Sequence, residues 1–286
     1  MPRIKLKKIR GSRVLLYLFV IALVSFTALP LIYVICTAFK PIDELYIWPP
    51  RFFVRQPTLH NFSDLLTALG NSSVPFTRYI FNSLFVTMAV VLGTVLVSAM
   101  GAYGLAKHRP AGSGVIMEVV MAALMFSPYT TQIPNYLIVK EMGLLNTYAA
   151  LIIPKLAVAY NFFLMERFAG QIPNALLEAC RIDGAGEARI FWKIAMPMLR
   201  PAWATLIVFA FVANWNDYFS ALVFIDGQAM KTLPLAMQTV AGTATADVAR
   251  AGAAAAVSFL MILPTIVIYI LMQKQIMKTM AQSGIK

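Results

Sequence analysis

Acidic side chains are scarce in this chain. Its 286 residues include 12 aspartates and glutamates against 24 lysines and arginines, with only two histidines and two cysteines. His60 and His108 stand far apart, each alone in a polar stretch, so neither belongs to a convergent metal or acid–base set. There is no G-x-x-x-x-G-K-[ST] loop to cradle nucleotide phosphates, no G-x-S-x-G elbow and no H-E-x-x-H helix. The short "GSG" at Gly112–Gly114 reads as a turn. Cys36 and Cys180 offer neither a disulfide framework nor metal-ligand spacing. These absences argue against an enzyme and against a metal or cofactor held by this chain.

Apolar residues are abundant. They make up 60% of the chain, charged residues make up only 13%, and the mean hydropathy is +0.74. A soluble domain holds roughly 45–50% apolar residues. The excess here exceeds what one compact core can bury, so lipid is expected to be the solvent for much of the surface. The formal charge of +12 does not point to nucleic acid, because the basic residues flank apolar runs and form no basic face interleaved with aromatics.

A helix needs about 20 apolar residues to cross about 30 Å of hydrocarbon. Six stretches qualify, at about residues 14–38, 79–106, 115–137, 146–166, 201–225 and 251–273. The third holds Glu118 and ends in "SPYTTQIP"; the fourth holds Pro154 and Lys155. The N-terminal "MPRIKLKKIRGSR" is basic, but the apolar run after it is too long for a cleaved signal, so it reads as a retained first span. Sixteen lysines and arginines fall in the N-terminal arm, the 107–109 loop, the 167–200 segment and the C-terminal tail, and seven fall in the opposite loops. The positive-inside rule then places both termini and residues 167–200 in the cytoplasm. The expected fold is an all-α integral membrane protein with six spans, forming one transmembrane domain over residues 1–286. In the long external loop, Trp48, Phe52, Phe53 and Phe62 are expected to form an aromatic belt at the interface.

The most charged interior stretch is "EACRIDGAGEARIFWKIAMPMLRP", from Glu178 to Pro201. Pro173 suits a first helical turn, and Ala175, Leu176, Ala179 and Ile182 share a face at helical spacing. Gly184 is expected to end that helix in the left-handed conformation. A second helix should resume near Glu187, with Ile190, Phe191, Ile194, Ala195 and Met198 at helical period and a bend at Pro197. Spacing alone serves a docking helix and a solvated connecting hairpin equally well.

Glu178, Ala179, Cys180, Gly184, Ile194 and Pro197 fall in the pattern E-A-A, three residues, G, nine residues, I-x-L-P, with Cys180 for the second alanine and Met196 for the leucine. This resembles the EAA loop of ABC importer permeases. "FVANWNDYFSALVF", "GLLNTYAALIIP" and the "NSL" at Asn82–Leu84 extend the resemblance over nearly the whole chain, toward the carbohydrate-uptake (maltose-type) branch and its second permease. The resemblance implies a type I permease fold in a bacterial cytoplasmic membrane. It implies a second homologous permease, two ATPase subunits that carry ATP and Mg, and an extracytoplasmic solute-binding protein. It makes Glu178, Ala179, Cys180, Arg181, Asp183, Gly184 and Ala185 the ATPase-coupling residues. It also implies that the loop within residues 226–250 reaches the binding protein, and the C-terminal tail the ATPases.

Ionisable groups inside spans default to functional candidates. Asp217, with Asn214 and Asn216, forms a polar patch that can line the pathway or hydrogen-bond between helices. Lys155 can belong to a span or snorkel outward. Two other readings stay open: a permease for another solute, or a self-sufficient carrier, although no charged relay runs through several spans.

Overall fold

A computed structural model describes residues 11–70, 74–244 and 251–283. Among them every regular element is helical. In chain order the main helices are α1 Gly11–Ala38, α2 His60–Gly70, α3 Phe76–Tyr103, α4 Ser113–Ala123, α5 Gln132–Glu141, α6 Tyr148–Ile152, α7 Ala159–Gly170, α8 Asn174–Ile182, α9 Glu187–Ile190, α10 Arg200–Trp215, α11 Phe219–Phe224, α12 Leu233–Ala244 and α13 Ala251–Ser283. The chain divides into two compact units: Met1–Ala68 with Val240–Leu260, and Leu69–Thr239 with Met261–Lys286.

Among the described residues three helices are long and apolar enough to cross a membrane, within Val14–Ala38, Phe76–His108 and Ala251–Gln275. Two bent pairs raise the number to five, with α6 and α7 meeting at 45° and the Glu187–Met198 arm meeting α10 at 74°. The expected third span, 115–137, is not one helix. It breaks after Ala123, and α4 alone reaches about 16 Å. The "SPYTT" stretch explains the break: the hydroxyls of Thr130 and Thr131 donate to the carbonyls of Ser127 and Pro128, which closes local turns where a helix would have continued. The expected fifth span ends at Trp215, and the chain resumes helix only at Phe219.

In the first unit α1 presents large apolar side chains on all sides, and nearly all are exposed. The loop that follows is a folded structure. Lys40 is 2% exposed, reaches the Arg51 carbonyl and lies over the Tyr33 ring. The buried Glu44 carboxylate accepts the backbone N–H groups of Arg55 and Gln56. Asn61 donates to the carbonyls of Ala38 and Lys40. The aromatic belt is therefore only partly present. Trp48 and Phe53 stand exposed, whereas Phe52 packs on Tyr33, and Phe62 packs against Phe39 and Phe259. Phe62 is drawn inward because α2 lays it on that aromatic cluster.

The second unit is organised around α3. Val95, Ala99 and Ala102 of α3 share a core with Met165 and Ala169 of α7, Ile190 of α9 and Leu206 of α10. Small residues permit this close approach. A Cβ on Gly101 would lie 2.9 Å from the Phe162 ring, and one on Gly93 would lie 2.5 Å from Leu156. At one end of α3, Asn82 donates to the carbonyls of Ala229 and Lys231 and accepts from the Tyr148 hydroxyl, while the Ser83 hydroxyl accepts the Leu233 N–H. These bonds fix the 225–233 connection.

Candidate functional site

Two features of the second unit carry chemistry. The first is the hairpin from α8 into α10. Its first helix ends at Ile182, and Gly184 takes φ +78°. The Gly184 N–H donates to the Arg181 carbonyl and the Ala185 N–H to the Cys180 carbonyl, both at 3.0 Å. This is a Schellman cap, which satisfies the orphan carbonyls and requires the left-handed residue that glycine supplies. Cys180 and Ala185, the residues flanking the cap, both pack on the core.

The corner is anchored from beneath. Leu177 and Ile172 are buried. Arg181 Nε donates to Glu187 Oε1 at 2.7 Å, and Glu187 Oε2 accepts the Tyr103 hydroxyl at 3.3 Å and lies 3.5 Å from His108 Nε2. One carboxylate thus ties α8 to α3 and its extension. The arm bearing Glu187 bends 74° away from α10 and precedes the expected fifth span at 201–225; there the Arg181 hydrogen bond holds the Glu187 carboxyl below the usual carboxylate range. Lys107 fixes the root of the hairpin by donating to the carbonyls of Gly170 and Ile172 and to the Asn174 side chain.

What remains outward is an unpartnered surface. Ala175, Leu176, Ala179 and Ile182 are exposed, Ile182 at 86%, and so are Glu178, Arg181, Asp183 and Gly184. Seven residues share the motif, but they divide by position: Glu178, Ala179, Arg181, Asp183 and Gly184 face out, while Cys180 and Ala185 sit half-buried beneath them. The second helix resumes at Glu187, yet Phe191–Ala195 forms a π-turn and the sharp bend falls at Leu199. Pro197 removes one backbone donor from the arm and Pro201 starts α10 afresh. Trp203 braces the bend by donating to the Met196 carbonyl.

The second feature joins two helix breaks. Lys155 lies in the break between α6 and α7, and Asp217 in the break after α10. They form an ion pair, with the side chains 22% and 19% exposed. The other Asp217 oxygen accepts the Ser220 N–H at 3.0 Å, and Thr94 of α3 donates to the Lys155 carbonyl at 2.9 Å. Beside the pair lies a cavity of about 320 Å³, walled by Thr94, Asn161, Phe209 and Asn214 as well as the two charges. Lys155 therefore does not snorkel outward. Of the three predicted pathway residues, Asn214 and Asp217 line this cavity, whereas Asn216 is exposed and donates to the Val212 carbonyl. Trp215 is structural, stacking on Phe211 and donating to the Met261 carbonyl. Sequence reading did not find Thr94 or Asn161, or the pairing of Lys155 with Asp217, and no local signal in the chain announces them.

Among the described residues no group of three or more histidine, cysteine, aspartate or glutamate side chains could hold a metal ion. The loop residues 245–250 and the last three residues of the tail, which carry two of the expected contacts, lie outside the described residues.

Residues 93–279 match the family described as the inner membrane component of binding-protein-dependent transport systems. Protein LplC of Bacillus subtilis (strain 168) is 32% identical over 280 residues, covering 92% of this chain and 90% of its own. The sn-glycerol-3-phosphate transport system permease protein UgpE of Yersinia pestis bv. Antiqua (strain Antiqua) is 29% identical, covering 96% of this chain and 98% of its own. A chain from the crystal structure of a bacterial ABC transporter involved in the import of the acidic polysaccharide alginate aligns with a TM-score of 0.79 at 23% identity, over 93% of this chain and 97% of its own. That likeness shows a shared fold. The chain belongs to the binding-protein-dependent transport permeases, the inner-membrane subunits of ABC importers.

Proposed function

We propose that this permease forms half of the translocation pathway of an ATP-driven importer for a sugar or oligosaccharide, and that its hairpin couples the pathway to a cytoplasmic ATPase. The sugar assignment draws on relatives such as the polygalacturonan/rhamnogalacturonan transport system permease protein YtcP of Bacillus subtilis (strain 168), 31% identical over 215 residues. A second, homologous permease completes the pathway, two ATPase subunits bind ATP and Mg below it, and an extracytoplasmic binding protein delivers solute. Six spans, with both termini and the hairpin in the cytoplasm, fit this reading, the third expected span being formed by broken helices.

The observation that carries the proposal is the exposed, rigidly capped corner at Gly184. An apolar stripe of Ala175, Ala179 and Ile182, rimmed by Glu178 and Asp183, suits helix-in-groove docking with basic residues at the groove's edge. Gly184 lets the corner approach closely. Cys180 and Ala185 transmit its movement by packing on the core, and Glu187 prevents the helix from swivelling. Closure of the ATPases on ATP then moves the second unit as a rigid body and switches access.

Co-purification of the tagged chain with its ATPase and partner permease tests this. The Glu178→Lys, Gly184→Trp double variant is expected to lose the ATPase or to leave hydrolysis uncoupled from transport. Equal recovery of the ATPase with both forms, or with neither, would exclude the hairpin as the dock.

A further inference from the structure

The cavity beside Lys155 and Asp217 has features that a merely structural ion pair does not require. Backbone away from helical geometry is tolerated at membrane depth only where protein or a cavity surrounds it. Here two helix breaks meet at one cavity, and charges from both breaks pair in its wall. Discontinuous helices of this kind frame the solute sites of many transporters. The volume of about 320 Å³ lies at the lower end of the range of ligand cavities, ~300–1,000 Å³.

The polar inventory is incomplete without an occupant. Asn161 is 7% exposed, lines the cavity and makes no side-chain hydrogen bond. The Asn214 carbonyl oxygen is buried without a donor, while its amide nitrogen is spent on the Ala210 carbonyl. A buried amide oxygen without a donor, as in Asn214, is rare and calls for an explanation. Asn161 offers donors and an acceptor, and Asn214 offers an acceptor. Phe209, with Tyr160 at 6.0 Å edge-on, supplies an apolar face. Hydroxyl groups that both donate and accept, arranged around a ring with an apolar C–H face, satisfy this set. Lys155 and Asp217 are the ionisable residues in the wall, and they neutralise one another. An incoming carboxylate or phosphate would place a second anion beside the one ammonium and set it against Asp217.

We infer that this cavity is a subsite for an uncharged glycosyl unit, and that its charge-neutral wall, in which Asp217 occupies the Lys155 ammonium, offers acidic sugars no free cation. The inference rests on the importer reading and adds to it a substrate class and a sugar contact made by this chain. It also separates the chain from its structural neighbour, whose solute is an acidic polysaccharide.

The test uses the whole transporter in proteoliposomes with its binding protein. Maltose and cellobiose, with their oligomers, are compared with digalacturonate and dimannuronate. The first readout is sugar-stimulated ATP hydrolysis. The second is thiol labelling of Asn161→Cys in a Cys36→Ser, Cys180→Ala background. A neutral sugar should stimulate hydrolysis and slow labelling at least threefold, and the acidic sugars should do neither. Asp217→Asn frees the Lys155 ammonium and should raise the acidic-to-neutral ratio of stimulated hydrolysis at least tenfold. The Lys155→Gln, Asp217→Asn double variant restores neutrality and should keep the wild-type preference, so it carries the test if the single variant does not assemble. If no sugar of either class stimulates hydrolysis, the importer reading falls and takes the subsite with it. A sugar that stimulates without slowing labelling overturns the subsite alone. Stimulation of the wild type by acidic sugars, an unchanged ratio in Asp217→Asn, or a double variant that accepts acidic sugars overturns the charge selection.

Discussion

α1 and α3 are both 28-residue apolar helices, yet one is bare and the other is the centre of a packed unit. No residue in the most apolar window of Val14–Ala38 is buried, against 44% of that in Phe76–His108. Composition explains the difference. α1 carries large leucine, valine, phenylalanine and isoleucine side chains along most of its surface, and the small residues along its middle, Ala22, Ser25 and Ala28, are not buried within the chain. α3 is also apolar, but its buried face holds Ser83, Thr87, Thr94, Ser98, Ala99 and Ala102, with Gly101 against Phe162 of α7 and Gly93 against Leu156 just before it. In lipid, apolarity alone gives helices no reason to associate; small residues and interhelical hydrogen bonds do. Hydropathy finds both helices, and the placement of small and hydroxylated residues tells which one has neighbours within the chain.

Matched substitutions break this comparison most directly. Gly101→Leu drives a side chain into Phe162 and should destabilise the second unit by about 1–3 kcal/mol or more. Ala22→Leu, on exposed α1, should stay within about 0.5 kcal/mol. Thermal unfolding of the detergent-solubilised chain, followed by intrinsic fluorescence, checks both, and similar losses at the two sites would refute the account. Next in size is Asn82→Leu. It keeps bulk but leaves the carbonyls of Ala229 and Lys231 without their donor, a loss of about 1–3 kcal/mol. Faster proteolysis within the 225–233 connection is the expected sign.

How far the sequence could be read follows the same division. α1, α3 and α13 were legible because a long apolar run needs no partner to be a helix. The hairpin was legible because its cap is local: the Gly184 and Ala185 N–H groups answer carbonyls three and five residues back. The break in 115–137 was not, since the apolar count runs through Pro128 and the hydroxyl-closed turns that follow it. The ion pair was invisible for a different reason. Lys155 and Asp217 are 62 residues apart, and only the packing of α7 and α10 on α3 brings them together. Asn161 gave no sign at all, because a single asparagine in an apolar helix looks the same whether it faces lipid, a neighbour or a cavity.

A smaller effect is expected at the brace of the hairpin. Arg181 and Glu187 are about half-exposed, so water screens their pair and it should contribute little to stability. Because the Glu187 carboxyl is held below its ordinary range, the contribution is complete above that range and is lost as pH falls through the lowered value. Amide protection factors over α8, corrected for the intrinsic pH dependence of exchange, should therefore fall on acidification in the wild type. Glu187→Gln should exchange faster at neutral pH and respond less to acid. An identical acid response in both would remove Glu187 from the brace.

The smallest effects are predicted on α1 itself, and they sharpen the comparison because their size depends on what surrounds the helix. Leu18 and Phe26 are 59% and 74% exposed, so Leu18→Ala and Phe26→Ala remove almost no contact within the chain. In the isolated chain each should shift stability by less than about 0.5 kcal/mol, because detergent or lipid replaces the lost surface with equally apolar chains. The same variants in the assembled importer ask a different question. If α1 faces lipid there, the yield of the complex with the partner permease stays unchanged. A selective fall in that yield, with the isolated chain unaffected, would mean that α1 is packed after all, by large residues fitted to a second subunit. The rule drawn from α3 would then hold for contacts within one chain and fail for contacts between chains.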